Sequence, residues 1–359
     1  MIIKNATIIA GTELLPMEGY IKVKDGRIKE IGSGGCHNKN AVDAKRGIVF
    51  PSFTNAHVHL MDSIAPDAGA YEKIGRRVGK GGIKFQILEE KRKDIPAGIG
   101  ASLKEMTASG TTAFCDFREG GLNGVKIKPR IKAGPSGIIL GRPGGGDISS
   151  VLDKCDGIGV SSVADYSKNE LKDIKNATRK KKKILAVHTA EVKDDVKAAL
   201  KLGPDFLVHM TNAKSASLEA VFKKKTPVVI CPRANAMLGV GLPKIKELLE
   251  NTTVAIGTDN VMINSLDMFR EVEFTFKAAR ALAKDHGLDA RAVLGAATIN
   301  GRKVLGLENN SITEGNVADF VIVKRKKYLY DPVLAIMHRL ASGDIKGTVV
   351  GRSVCIKKS

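Results

Sequence analysis

"GIVFPSFTNAHVHL", residues 47–60, runs from apolar residues into two histidines set one residue apart, His57 and His59. A short apolar run bounded by turn residues reads as a buried strand, and positions i and i+2 of a strand point the same way. The end of this strand can therefore offer two imidazoles to one ion. The fold is decided by what comes after it.

Downstream, short apolar runs recur: "GTTAFCDF", "SGIILG", "GIGVSS", "KILAVH", "DFLVHM", "PVVICP" and "TVAIGTD". Stretches of helical period separate them. Ser167-x-x-Glu170 opens one such stretch as a capping box, and Gly203-Pro204 closes another. With the run before His57, eight strand candidates alternate with helices. A closed barrel of eight parallel strands takes about 250 residues, and residues 51–305 match it. Before residue 50 the chain alternates apolar and polar positions between turn signals such as Lys24-Asp25-Gly26, and strand patterning returns in "SITEGNVADFVIVKR" and "GDIKGTVVGRSVCIKK". The expected architecture is α/β: a (β/α)8 TIM-like barrel over 51–305, with a small β-sandwich domain formed by both chain ends, 1–50 and 306–359.

Four of the seven histidines fall at the C-terminal ends of predicted strands. His57 and His59 end the first, His188 closes "KILAVH" and His209 closes "DFLVH"; Asp259 closes "TVAIGTD" in the same way. In a parallel barrel these ends converge on the active-site face. Any one of these histidines alone reads most simply as a hydrogen-bonded structural residue. Five polar residues at four such ends instead describe an open catalytic metal site, with His57, His59 and His188 as nitrogen ligands and Asp259 as the oxygen ligand. Glu191, three residues after His188, sits where it could shuttle protons; alone, it would pass for a carboxylate favoured by a helix N-terminus.

The composition narrows the alternatives. The chain has 359 residues, 43% of them hydrophobic, which suits a folded globular protein. No signal-peptide pattern or apolar run of membrane-spanning length stands out, so a cytoplasmic location and no membrane partner are expected. Five scattered cysteines without a CxxC pair support neither a disulfide framework nor a cysteine zinc site. The formal charge of +20 would favour anions, but much of it lies in runs such as Arg179–Lys183 and Lys223–Lys225 near helix ends. Without tryptophan or aromatic interleaving, a solvated basic surface is the better reading than a nucleic-acid groove.

The pieces "PSFTNAHVHL", "AVHTAE", "VHMTNA", "CPRANAMLGVG", "IGTDN" and "SITEGNVADFVIV" resemble, in order, the amidohydrolase superfamily, in the branch of cytosine deaminase, guanine deaminase and atrazine chlorohydrolase. The resemblance implies a metal-dependent barrel with one divalent metal on His57, His59, His188 and Asp259, usually zinc and in some relatives iron. Two-metal members carry a lysine at the end of strand four. "DGIGVSSVADYS" has none there, which implies a mononuclear site. The H-x-E…P-C-x-x-C signature of the other zinc deaminases is absent. Homo-oligomers are common among such relatives.

The resemblance further implies that Asp259 takes a proton from a metal-activated water. Glu191 would protonate a ring nitrogen and assist the leaving amine, and His209 would stabilise charge on the attacking oxygen. The expected activity is hydrolytic deamination of an amino-substituted nitrogen heterocycle: a nucleobase, nucleoside or pterin-like small molecule. Arg118, Arg142 and Arg233 follow strands two, three and seven, and with the glycines beside Arg118 and Arg142 they could clamp an anionic substrate. They could equally brace loops through Asp116, Glu119 or Asp147. Asn235 and Asn260, after strands seven and eight, could read a heterocycle's edge. The first loop, "LMDSIAPDAGAYEKIGRRVGKGG", does not match the pattern of the guanine or cytosine enzymes. Two alternatives stand beside deamination: hydrolysis of a cyclic amide or amidine, as in imidazolonepropionase-like relatives, and a basic nucleic-acid-binding protein without catalysis.

Overall fold

The computed structural model describes residues 1–359 apart from 130, 132, 133, 144–146, 352 and 357–359, and the side chains of 353–356. Two sheets organise it, one of nine strands and one of seven.

The nine-stranded sheet is the barrel. Its strands are Phe53–His59, Thr111–Arg118, Ser136–Gly141, Gly157–Val160, Ile184–Thr189, Phe206–His209, Val228–Ile230 and Val254–Ile256, followed after two residues by Asp259–Asn260. Each pairs in parallel with the next in chain order. Asp259–Asn260 then pairs in parallel with Val58–His59 and closes the ring. All eight predicted strands are present, and the crossover helices fall between them as the apolar periodicity indicates. The capping box at Ser167 opens the helix Lys168–Lys180, and Gly203, at φ 66°, follows the helix Val196–Lys201.

Along strands five and six the alternation sorts side chains by face. Ala186, Phe206 and Val208 pack with Cys115, Phe117 and Val229 in one cluster, whereas Leu185, Val187 and Leu207 pack among helix residues such as Val196 and Val221. Buried apolar contacts on both faces are what a parallel sheet covered by helices requires.

Ile2–Ala10, Leu15–Lys24, Arg27–Ser33 and Val42–Pro51 from one end, and Phe320–Val323, Ile345–Val350 and Ser353–Ile356 from the other, form the seven-stranded sheet. Its core gathers Ile3, Ile8, Ile21, Val49, Phe320 and Ile322. Asp25 and Gly26, at φ 52° and 80°, make the two-residue hairpin turn between the second and third strands. The sheet joins the barrel through Ser52, whose N–H donates to Asp319 O at 3.1 Å, and through the buried Arg302–Asp319 ion pair. Among the described residues no helix is long and apolar enough to cross a membrane.

Closure of the ring depends on Gly257. A Cβ there would stand 2.6 Å from His57 Cβ, N and O, and backbone cannot give way as a flexible side chain would. Gly257→Ala is therefore expected to destabilise the protein by roughly 1–3 kcal/mol. A urea midpoint unchanged from wild type would contradict this account of closure.

Candidate active site

The ends of barrel strands one, five, six and eight bring His57, His59, His188, His209 and Asp259 together. Asp259 Oδ1 lies 3.2 Å from His57 Nε2 and 3.5 Å from His59 Nε2. The imidazole of His57 has its centroid 4.8 Å from that of His188 and 5.7 Å from that of His209. Donor atoms of His57, His59 and Asp259 lie within 4.8 Å of one another, as do those of His57, His188 and His209, and of Glu191, His209 and Asp259. Ligand atoms 2.0–2.1 Å from one tetrahedral ion stand about 3.3 Å apart, so the His57–Asp259–His59 spacing fits a shared cation. A set of imidazole nitrogens and one carboxylate oxygen suits zinc or a similar divalent metal.

The backbone orients these rings. His188 Nδ1 lies 2.8 Å from Val160 O and His59 Nδ1 lies 3.1 Å from Phe117 O. A proton on each Nδ1 leaves Nε2 to face the centre. Alternation alone would send His209 to the same face as Leu207, away from the centre. Its φ of 78° breaks the pleat and turns the ring inward, and Asp259 at 63° and Ala190 at 51° are likewise left-handed. Such conformations cost about 1–3 kcal/mol each and collect where function needs them.

Burial controls protonation here. It pushes His57 down to about 4 and His59 down to about 3, and moves His188 well below its ordinary value. All three are therefore neutral and competent as ligands at neutral pH. Burial would raise Asp259, but its hydrogen bond with His57 outweighs it and holds the carboxylate ionised. Glu191 is raised by burial, against the charge of His209. Its Oε2 lies 3.8 Å from His209 Nε2. Asp259 is thus kept ionised, and Glu191 is shifted towards holding a proton.

The three arginines do not act alike, and the expected clamp reduces to one of them. Arg118 is buried, and its guanidinium is taken up by Asp116 and by the carbonyls of Ile127 at 3.0 Å and Gly124 at 3.5 Å. Arg233 is spent on Glu271 and Ser265, each at 3.4 Å. Both brace loops. Only Arg142 reaches the centre, with one terminal nitrogen 3.5 Å from His188 Nε2 and its Nε 3.1 Å from Glu119 Oε1. Gly144–Gly146, expected to open backbone N–H groups to an anion, lie outside the described residues.

The asparagines are also committed. Asn235 Nδ2 stands 3.2 Å from His209 Nδ1, and Asn260 Nδ2 donates to Asp62 Oδ2 at 2.6 Å. Both are buried and hold site elements in place, while Asn235 Oδ1 has no hydrogen-bond partner among the described residues. Asp62 also accepts from Val261 N at 3.0 Å and Met262 N at 3.3 Å, tying the first loop to the last. Lys84 went unrecognised in the sequence. It is 2% exposed and sits beside Glu119 and Asp62. The one available signal was its place four residues before Leu88, on the buried side of the helix Ile83–Glu90.

With this geometry in view, the amidohydrolase family profile matches residues 154–352. An uncharacterized protein of Methanocaldococcus jannaschii is 33% identical over 372 residues, covering 95% of this chain and 96% of that one. The 5-methylthioadenosine/S-adenosylhomocysteine deaminase of Pyrococcus furiosus is 25% identical over 409 residues, covering 99% and 95%. Among solved structures, an adenosine deaminase from Xanthomonas campestris with bound zinc superposes with a TM-score of 0.77 at 18% identity, covering 98% of this chain and 92% of that one. That last likeness bears on fold alone.

The depressed histidines make a pH prediction for metal-stripped protein. Unfolded imidazoles bind protons below about 6.5, whereas His57 and His59 resist them down to about 4 and about 3. The unfolded state therefore gains protons first as pH falls, and stability drops across that window. The buried carboxylates Asp62 and Glu271, raised to about 6 and about 7, take up protons in the folded state over the same window and oppose that loss, so the rings are read directly: NMR titration of the imidazoles should find His57 and His59 still neutral at pH 5. Protonation of either ring above pH 5 would mean that it is not buried neutral.

Proposed function

Because the chain belongs to the amidohydrolase family of metal-dependent hydrolases acting on non-peptide carbon–nitrogen bonds, we propose that it deaminates an amino-substituted nitrogen heterocycle hydrolytically, with 5′-modified adenosines the first class to test. The observation that carries this reading is the pairing, within one cluster, of an ionised Asp259 and a Glu191 raised by burial. Addition of water to a C=N bond and loss of ammonia need one group that takes a proton and one that delivers it. The substrate class is suggested by full-length relatives, including the Pyrococcus furiosus deaminase and a 5′-deoxyadenosine deaminase of Methanosarcina mazei.

His57, His59, His188 and Asp259 would hold one divalent metal, for which zinc is the best match to the donor set. When bound, such an ion lowers the pKa of water towards neutrality and polarises the site. The residues of the chain do the remaining work. Asp259, ionised beside His57, accepts the proton of the attacking water. Glu191 carries a proton to the ring nitrogen next to the reacting carbon and then assists departure of the amine as ammonia. His209, turned inward by its backbone and held by Asn235, donates towards the oxygen that gains charge. Arg142, the arginine that approaches His188, would contact a carbonyl or anionic group of the substrate.

The test is ammonia release by zinc-loaded protein against 5′-modified adenosines, free aminopurines and aminopyrimidines, pterins, and cyclic amides such as imidazolones. Release from at least one amino-heterocycle is expected, and turnover confined to the cyclic amides would replace deamination with ring-opening hydrolysis. Glu191→Gln should keep one metal per chain and lose about 10²–10⁴-fold in kcat. His59→Ala should lose metal and activity together. Full activity in Glu191→Gln would remove the proton-carrying role.

A further inference from the structure

We infer that Glu119 is a positioning residue that couples the metal ligand His59 to the substrate arm Arg142, with Lys84 fixing it in place. The substrate half rests on the deamination reading, whereas the metal half does not.

Glu119 directly follows the second barrel strand and is 5% exposed. A single oxygen, Oε1, stands 2.9 Å from Lys84 Nζ, 3.1 Å from Arg142 Nε and 3.4 Å from His59 Nδ1. These partners come from different parts of the site wall: Lys84 from the helix Ile83–Glu90 in the first loop, Arg142 from the loop after strand three, and His59 from strand one. Lys84 Nζ also approaches Asp62 Oδ2 at 3.6 Å, and Asp62 is bound to Asn260 beside the ligand Asp259. A carboxylate buried this deeply is costly unless it is paired, and pairing to one cation would suffice to keep it. Two cations and a metal-ligand imidazole on the same oxygen amount to more than charge balance.

The geometry assigns that oxygen two consequences. It stands with Phe117 O around His59 Nδ1, which favours a proton there and leaves His59 Nε2 towards Asp259, 3.5 Å away. It also holds Arg142 by charge, 3.1 Å from Nε, although that N–H is not aligned for a hydrogen bond. The terminal N–H groups of the guanidinium are then left for the centre, where one approaches His188 Nε2 at 3.5 Å. A planar fork held from behind is ready for a substrate oxygen. Lys84 keeps Oε1 from following either partner. In the Arg118–Asp116 brace the carboxylate also accepts from Leu60 N at 2.9 Å, but it meets no ligand imidazole.

Three variants of the full chain test this: Glu119→Gln, Glu119→Asp and Arg142→Met. Zinc affinity is read by competition with a chromogenic chelator, and folding by thermal unfolding of the stripped proteins. Glu119→Gln should bind zinc about 10–100-fold more weakly. Glu119→Asp keeps the charge and the Lys84 pair but draws the oxygen back from His59, so it should weaken zinc in the same direction while stripped protein unfolds close to wild type. If Glu119→Gln does not fold, Glu119→Asp decides. Zinc affinity within threefold of wild type in the folded variants would overturn the metal half.

With zinc saturating and a substrate from the panel, Glu119→Asp should raise KM about tenfold, a factor worth one decade of binding. It should raise KM no further in an Arg142→Met background. Additive KM effects in the double variant would overturn the substrate half, because independent sites add and coupled ones do not. If no panel member is turned over by wild type, the deamination reading fails while the zinc measurement still decides Glu119.

Discussion

The whole site depends on one short ladder, in which Asp259 and Asn260 pair in parallel with Val58 and His59. It closes the barrel, and it also sets the carboxylate ligand against two imidazole ligands separated from it by 202 and 200 positions in sequence. Nothing on the helices could do this. The approach is possible because Gly257 has no side chain to meet the backbone of His57. The pairing of strand one with strand two is itself irregular between Asn55 and Val58. The metal-ligating end of the first strand is therefore shaped by closure as much as by its own pleat.

Closure concentrates charge in a place that water hardly reaches. Asp62, Glu119 and Asp259 are all buried, and so is Lys84, while Arg142 lines the same wall. Isolated, each would be expensive to bury. The arrangement answers carboxylate with cation: burial drives Glu119 up, yet Arg142 and then Lys84 hold it well below the usual carboxylate range. Asp62 keeps less compensation and rises to about 6 through burial, against Lys84 and the amide of Asn260. The same low-dielectric surroundings depress the imidazoles. Exclusion of water thus prepares the ligands and the proton carrier together, while His57 keeps the proton acceptor ionised against it.

Much of this was legible in the sequence because strand ends are where a parallel barrel gathers its chemistry. Apolar runs marked the eight strands, and His57, His59, His188, His209 and Asp259 stood at their ends, so periodicity and position placed five residues in one cluster. The arginines show where that reasoning stops. Arg118, Arg142 and Arg233 occupy equivalent positions after strands, yet Asp116 takes the first and Glu271 the third. Which cation is spent depends on partners distant in sequence, and Glu271 comes from a helix 38 residues beyond Arg233. Lys84 was hidden for a related reason. A lysine on a helix reads as surface until the carboxylates that receive it are known to converge.

The division between frame and loops also bears on how such a site changes its substrate. The left-handed backbones at Ala190, His209 and Asp259 are held by strands with apolar contacts on both faces, so the ligands and the proton groups are fixed by the core. The segment from Leu60 to Glu90, by contrast, is built of short helices and turns. It touches the centre through Asp62, which accepts from the amide of Asn260 and the backbone after it, and through Lys84, which docks on the carboxylate of Glu119. A replacement for that segment would keep the chemistry if it still presented a cation to Glu119. It would redraw the mouth of the pocket if it did not. The loop is thus joined to the ligand frame where Lys84 meets Glu119, the carboxylate that also faces His59.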